Sequence, residues 1–249
     1  MSQTSSDTWI RRYHPTEAPV RLVCFPHAGG SASFYHPVSA QLTPAIDVVA
    51  VQYPGRQDRR TETAFTDVVE HAEAISAALR GWDDRPLAFF GHSMGALLAF
   101  EVTRVRERTG EPVPQRLFLS GRRAPSVYLA EDLPTDDDGV IAKLRELAGT
   151  NPAILGDPEL MRMALPALRA DYTAVDAYRP GDDVSVDVPL DVLTGDADDR
   201  TRIEDARAWE RHTTAGSELT VFPGGHFFLA DRAPEVLALV RERLSGVTV

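Results

Sequence analysis

The 249-residue chain carries 37 acidic and 26 basic residues, a formal net charge of −11 at pH 7, with 43% hydrophobic and 25% charged residues. That length and composition suit a soluble globular protein with one large α/β domain, or two small ones, and a substantial core. The acidic balance argues against a nucleic-acid partner, and no apolar run approaches the ~20 residues of a membrane span.

The N-terminal stretch is polar, carries Arg11-Arg12 and lacks the apolar centre of a signal peptide, so the expected location is cytoplasmic. Residues 1–14 read as a flexible arm, and 15–249 as a single domain. Cys24 is the only cysteine, which excludes an internal disulfide. It lies in the apolar run Val20–Phe25, where an inert, buried thiol is expected. That run reads as a first strand and ends in Pro26-His-Ala-Gly-Gly30, a breaker-rich loop. Asp47–Tyr53 reads as a second strand, closed by Pro54-Gly-Arg56. Val68, Ala72, Ile75, Leu79 and Trp82 then recur at steps of four and three, the mark of an amphipathic helix.

Next comes Pro86–Phe90, an apolar strand, then Gly91-His-Ser-Met-Gly95, then the helical run Ala96–Val102. Strand, G-x-S-x-G, helix is the context of a nucleophile elbow: a sharp turn that lifts a serine hydroxyl above the sheet, with small neighbours permitting the close approach. Arg116–Ser120 is a further short strand, ending at Gly121-Arg-Arg123. The alternation of strand and helix implies a mostly parallel sheet.

The rhythm breaks between about residues 124 and 187. Val140, Ile141, Leu144 and Leu147 form one helical stripe, between the cap candidates Asp136-Asp-Asp138 and Gly149. Leu160, Ala164, Leu165, Leu168, Tyr172, Val175 and Tyr178 form a second, interrupted by Pro166. A helical insertion directly after the strand that follows the elbow helix is expected to cap the site, with Met161 and Met163 suited to an adaptable apolar surface. Alternation then resumes with Pro189–Leu193, the loop Thr194-Gly-Asp-Ala-Asp-Asp199, a helix over about 203–212 and strand Glu218–Phe222. Pro223-Gly-Gly-His226 follows, and a last helix carries Val236, Leu237, Val240 and Leu244.

In a doubly wound sheet, ligands bind beyond the C-terminal ends of the strands. Four loops there carry chemistry-bearing residues, and three of them give Ser93, an aspartate and His226, the chain order of an α/β-hydrolase. Ser93 is the candidate nucleophile. His226, on a Gly-Gly turn after a strand, is the candidate base. Of the three aspartates in one loop, Asp198 is preferred as the acid that orients the imidazole, with Asp199 the rival and Asp196 a turn former. The backbone N–H groups of Met94, at the elbow helix start, and Ala28, after the first strand, are the candidate oxyanion donors. His27 reads as a loop-organising hydrogen bonder, and His92 as pointing away from the elbow's apex. His14, His36, His71 and His212 read as surface or packing histidines.

Phe25-Pro-His-Ala-Gly-Gly30, Tyr53-Pro-Gly-Arg56, Gly91-His-Ser-Met-Gly-Ala96, Leu168-Arg-Ala-Asp-Tyr172 and Gly224-Gly-His-Phe-Phe228, in that order, resemble the type II thioesterases. These are stand-alone editing enzymes of polyketide synthases and nonribosomal peptide synthetases. The resemblance implies the α/β-hydrolase fold, a mostly parallel sheet flanked by helices with a helical lid over about 124–187. It implies hydrolysis of acyl groups from the phosphopantetheine arm of acyl or peptidyl carrier proteins through an acyl-Ser93 intermediate. Ser93, Asp198 and His226 would form the triad, with Ala28 and Met94 as the oxyanion hole and no metal or bound cofactor. The family commonly has a proline after the acid where this chain has Asp199, which keeps the rival open. Docking of an acidic carrier would draw on local arginines: Arg56, Arg59, Arg60, Arg122, Arg123, Arg162 and Arg169 are candidates. A monomer is the default. The competing readings are a generic carboxylesterase or lipase, an acyltransferase using the same triad, and a binding protein that kept the fold.

Overall fold

The computed structural model describes residues 8–130, 136–146 and 158–246. In chain order the elements are β1 (Ile10–Arg11), β2 (Arg21–Phe25), α1 (His36–Leu42), β3 (Asp47–Val51), α2 (Val68–Leu79), β4 (Leu87–His92), α3 (Met94–Thr109) and β5 (Leu117–Ser120). There follow α4 (Asp137–Glu146), α5 (Pro158–Ala177), β6 (Leu190–Gly195), α6 (Ile203–Arg207), β7 (Ser217–Phe222), α7 (Phe228–Asp231) and α8 (Ala233–Leu244).

The strands form one seven-stranded sheet in the order β1-β3-β2-β4-β5-β6-β7, parallel except for β1. β2 to β6 are buried along their whole length, as parallel strands covered on both faces must be. Their side chains alternate between two cores. Val23, Phe25, Val49, Val51, Leu87 and Phe89 face one side, with α2, α3 and Trp209. Leu22, Cys24, Val48, Ala50, Ala88 and Phe90 face the other, with α8 and the end of α1. The period of two along each strand produces this division, and each fully buried Leu, Val or Phe stabilises the fold by about 1.5–3 kcal/mol.

Local chemistry sets the helix ends. Asp67 caps α2, its carboxylate accepting the Val69 and Glu70 N–H groups at 2.7 and 2.9 Å. α3 stops at Gly110, whose φ of 69° ends the helix at no steric cost. α2 ends at Leu79, so Trp82, expected on its stripe, lies beyond it in a turn closed by Trp82 N–H donating to Leu79 O.

The N-terminal stretch departs from the expected arm within its described part. Ile10 and Arg11 pair antiparallel with Val51 and Ala50, and Ile10 is buried in the first core. A two-residue edge strand carries too little pattern to be seen in sequence.

The interval between β5 and β6 holds α4 and α5. Val140, Leu165, Leu168 and Tyr172 form a small cluster of their own, against Ile141 and Ala28. Val175 and Tyr178 join the main core, which anchors the C-terminal end of α5 to the sheet. Met163 is exposed. Leu147 and Gly149, and the side chains of Leu144, Leu160 and Met161, lie outside the described residues. Among the described residues, no helix is long and apolar enough to cross a membrane.

Candidate active site

Ser93 sits between β4 and α3 at φ 55° and ψ −117°. A non-glycine residue there carries strain of order 1–3 kcal/mol, which persists only where the surroundings enforce it. They do. A Cβ on Gly91 would stand 2.1 Å from Gly95 O, and one on Gly95 would stand 2.0 Å from Phe25 O. Only glycines let helix α3 come this close to strands β2 and β4. Ser93 N–H donates to Ser120 O at 2.8 Å, and Ala96 N–H donates to Ser93 O at 3.0 Å, locking the turn. The Ser93 side chain makes no capping hydrogen bond to α3, so its hydroxyl is not tied up by the helix it precedes. Met94 opens α3, where backbone N–H groups have no partner within the helix.

His226 lies on the turn after β7. Its Nδ1 is 3.0 and 3.1 Å from the two carboxylate oxygens of Asp198. With a carboxylate on both approaches, Nδ1 is the nitrogen that carries the proton, which leaves Nε2 as the acceptor. Asp198 is buried and further held by the Arg200 and Thr201 N–H groups, at 2.9 and 3.2 Å from its Oδ1. Asp199 is exposed. Asp196 instead accepts the Gly224 N–H at 2.9 Å, pinning the turn that leads to His226. Gly195 is required here, because a Cβ would meet Gly224 O at 2.3 Å. The three aspartates divide by direction: one meets the imidazole, one holds its turn, one faces water.

Two other histidines crowd the site. His92 packs on the candidate base: its ring centroid is 5.0 Å from that of His226 and 5.0 Å from that of Phe227. It is fully buried, with Nδ1 3.0 Å from Ser120 Oγ. Burial first, and then the proximity of His226 and His27, push its pKa well below the ordinary histidine value. His27 packs edge-on between Phe34 and Phe227, at 4.8 and 4.9 Å. Burial, with His226 and Arg56 nearby, lowers its pKa to about 3. Its Nδ1 has no hydrogen-bond partner among the described residues, so the ring contributes packing, while its carbonyl accepts the Gly30 N–H at 2.9 Å. Both rings are neutral at pH 7 and add no positive charge beside the candidate base.

Ala28, Ser93, Met94, Arg122, Tyr172, Val175 and Arg200 line one small recess, open to solvent. Tyr172 and Val175 come from α5 in the insertion, so its helix forms a wall of the space before Ser93. The Arg200 guanidinium donates to Tyr172 Oη at 3.0 Å. Arg200 escaped the sequence reading because its place beside Tyr172 depends on a contact across the sheet end. Among the described residues, no group of three or more His, Cys, Asp or Glu side chains is placed to hold a metal.

The arginines expected to form a docking surface are mostly elsewhere. Arg56, Arg59, Arg122 and Arg123 are buried. Arg59 lies over the Trp9 ring and donates to Glu62 and to Gln52 O. Arg56 pairs with Asp171 of α5, and the same Asp171 oxygen accepts the Gly29 N–H at 2.7 Å. Burial raises the Asp171 pKa, opposed by Arg56 and by the Gly29 N–H. Arg169 donates to Asp137 of α4 at 2.9 Å. Arg60 and Arg162 are exposed.

This arrangement has close counterparts. The family model for the Thioesterase domain matches residues 20–244. A probable cadicidin biosynthesis thioesterase of Streptomyces griseus is 51% identical over 246 residues, covering 97% of this chain and 68% of that protein. Thioesterase PikA5 of Streptomyces venezuelae is 43% identical over 244 residues, covering 96% of this chain and 86% of its own length. Among solved structures, the type II thioesterase BorB from the borrelidin biosynthetic cluster superposes with a TM-score of 0.85 at 45% identity, covering 96% and 98% of the two chains. The chain therefore belongs to the Thioesterase domain family and is a thioester hydrolase of the type II kind, built on the α/β-hydrolase fold.

Proposed function

We propose that this thioesterase edits a polyketide or nonribosomal peptide synthase by hydrolysing acyl groups from the phosphopantetheine arm of its acyl or peptidyl carrier proteins. The observations that support the mechanism are the strained elbow at Ser93 and His226 Nδ1 held by Asp198 at 3.0 Å, with the His226 ring 5.0 Å from that of His92, the residue before Ser93. The association of relatives with cadicidin biosynthesis and the borrelidin cluster supports the carrier-bound substrate.

In this reading the thioester enters beneath the insertion, which acts as a lid. Nε2 of neutral His226 takes the Ser93 proton as Oγ attacks the carbonyl carbon. Negative charge on the carbonyl oxygen is received by the Ala28 and Met94 N–H groups, the second aided by the positive end of α3. One such donor contributes about 3–4 kcal/mol to transition-state stabilisation. As the C–S bond breaks, the imidazolium protonates the departing thiolate of the phosphopantetheine arm, which leaves as the thiol. Water, activated in turn by His226, attacks acyl-Ser93 and releases the carboxylic acid. The buried, neutral His27 and His92 leave the imidazolium unopposed while it exists. The route uses no metal or bound cofactor, and phosphopantetheine arrives with the substrate.

Intact-mass and peptide mass spectrometry after incubation with acyl-carrier protein tests the reading. Transient acylation of Ser93, absent in Ser93→Ala, is the expected result, with turnover of acyl-carrier protein exceeding that of a simple aryl ester. Acylation at another residue, or a strong preference for the aryl ester, would overturn it.

A further inference from the structure

We propose that Asp171 is a positioning residue for the oxyanion hole: from helix α5 it holds the Gly29 amide, and so aims the neighbouring Ala28 N–H at the space before Ser93. The proposal rests on the reading of Ala28 as an oxyanion donor and extends it to a residue more than 140 positions away.

The loop 26–30 has no regular structure to fix its peptide planes. Gly30 N–H donates to His27 O at 2.9 Å, and Gly29 turns at φ 72°, a conformation that a side chain resists. The remaining constraint comes from the insertion. Asp171 Oδ2 accepts the Gly29 N–H at 2.7 Å, while Leu168, one turn earlier on α5, packs so closely that a Cβ on Gly29 would lie 2.7 Å from its Cδ1. A peptide plane held at Gly29 N also holds the Ala28 carbonyl, and with it the rotation of the preceding residue.

Asp171 is itself fixed. Arg56 donates to the same Oδ2, and its other terminal nitrogen donates to Pro54 O at 2.8 Å. Its guanidinium lies 5.1 Å over the Tyr53 ring, whose hydroxyl donates to Pro26 O at 3.1 Å. Gln52 donates to Arg56 O and accepts the Ala32 N–H, closing the network around residues 26–32. A carboxylate and an arginine both removed from water carry a desolvation penalty that can match their attraction, so stability alone is a poor reason for the pair. Orientation of an amide beside the nucleophile is a better one. Because the acceptor stands on α5, the hole is fully formed only while that helix rests on the loop, which links lid position to readiness for chemistry.

The test compares Asp171→Ala, Asp171→Asn and the double variant Arg56→Leu/Asp171→Leu. The readouts are kcat and KM on an acyl thioester, and affinity for two substrate mimics. One is a trifluoromethyl ketone that forms a tetrahedral adduct on Ser93; the other is an unreactive amide. Asp171→Ala is expected to lower kcat about 10- to 100-fold, with KM within about twofold. Affinity for the ketone should fall by the same factor, and that for the amide should not change. Asp171→Asn retains an oxygen where both bonds arrive and should recover kcat to within about threefold of wild type. The double variant removes both charges together, so neither is left buried without its partner. It should show the same kcat loss. Wild-type kcat in the double variant, or equal losses for ketone and amide, would overturn the proposal. If Ser93→Ala retains turnover, the underlying site reading fails instead, and the two failures are told apart.

Discussion

Both carboxylate oxygens of Asp198 lie within 3.1 Å of His226 Nδ1, whereas Asp199, the next residue, faces solvent. Replacing Asp198 by Asn keeps the shape of the group but lets it donate to Nδ1, which stabilises the tautomer that cannot accept the serine proton. A loss of about 10⁴ in kcat is the expected size for such a change, by analogy with the serine protease triad. Asp199→Asn should leave kcat within about twofold, since an exposed charge contributes little. Steady-state hydrolysis of an acyl thioester by the two variants separates them, and a larger loss in Asp199→Asn would reassign the acid.

His27 gives a pH signature of stability. Its pKa is lowered to about 3 in the fold by burial, and stands near 6.5 once unfolded. Between those values the unfolded chain binds a proton that the folded chain does not, so stability is complete above about pH 6.5 and declines as pH falls. The contribution lost by pH 5 is about 2 kcal/mol. Urea denaturation at pH 7 and pH 5 should show a smaller drop in His27→Phe than in wild type. An equal or larger drop would show that His27 is not the neutral, buried ring described above.

The elbow glycines predict a sharp contrast. A methyl at Gly95 would press on Phe25 O and Pro26 O, in backbone that cannot swing aside. Gly95→Ala should therefore destabilise the fold by about 3 kcal/mol or more. Gly81 has nothing within 4 Å of a built Cβ, and Gly81→Ala should stay within about 0.5 kcal/mol of wild type. Thermal melts of the two variants measure both.

Cys24 is fully buried in β2, and burial drives its thiol pKa up. Iodoacetamide at pH 8 should leave the native protein unlabelled and fully active, and should alkylate one thiol in denaturant. Rapid native labelling with loss of activity would place a reactive thiol near the site.

Features that depend on neighbours in the chain were legible before the structure. The parallel strands appear as continuous apolar runs, the elbow as a serine between glycines, and the loop glycines as breakers after each strand. Several departures depend on contacts between residues far apart in the chain. Arg56 is a docking candidate in the sequence because an acidic carrier calls for local arginines, but its partner Asp171 lies 115 positions on and both are buried. For His92, adjacency to Ser93 carries no sign of its neighbours. In the fold, its ring turns to Ser120 and packs on His226, a contact across the ends of two loops. Arg200 was passed over in a run of acidic and turn residues.

The sequence by itself determined the fold class and the family, because apolar periodicity, glycine placement and the order of the serine, aspartate and histidine loops are written in short stretches. Only the tertiary structure decided which aspartate meets His226, which arginines are buried, and that helix α5 reaches the loop carrying Ala28. Those outcomes depend on where sheet twist and helix packing aim side chains that are far apart in the chain, and adjacent spacing carries no record of that direction.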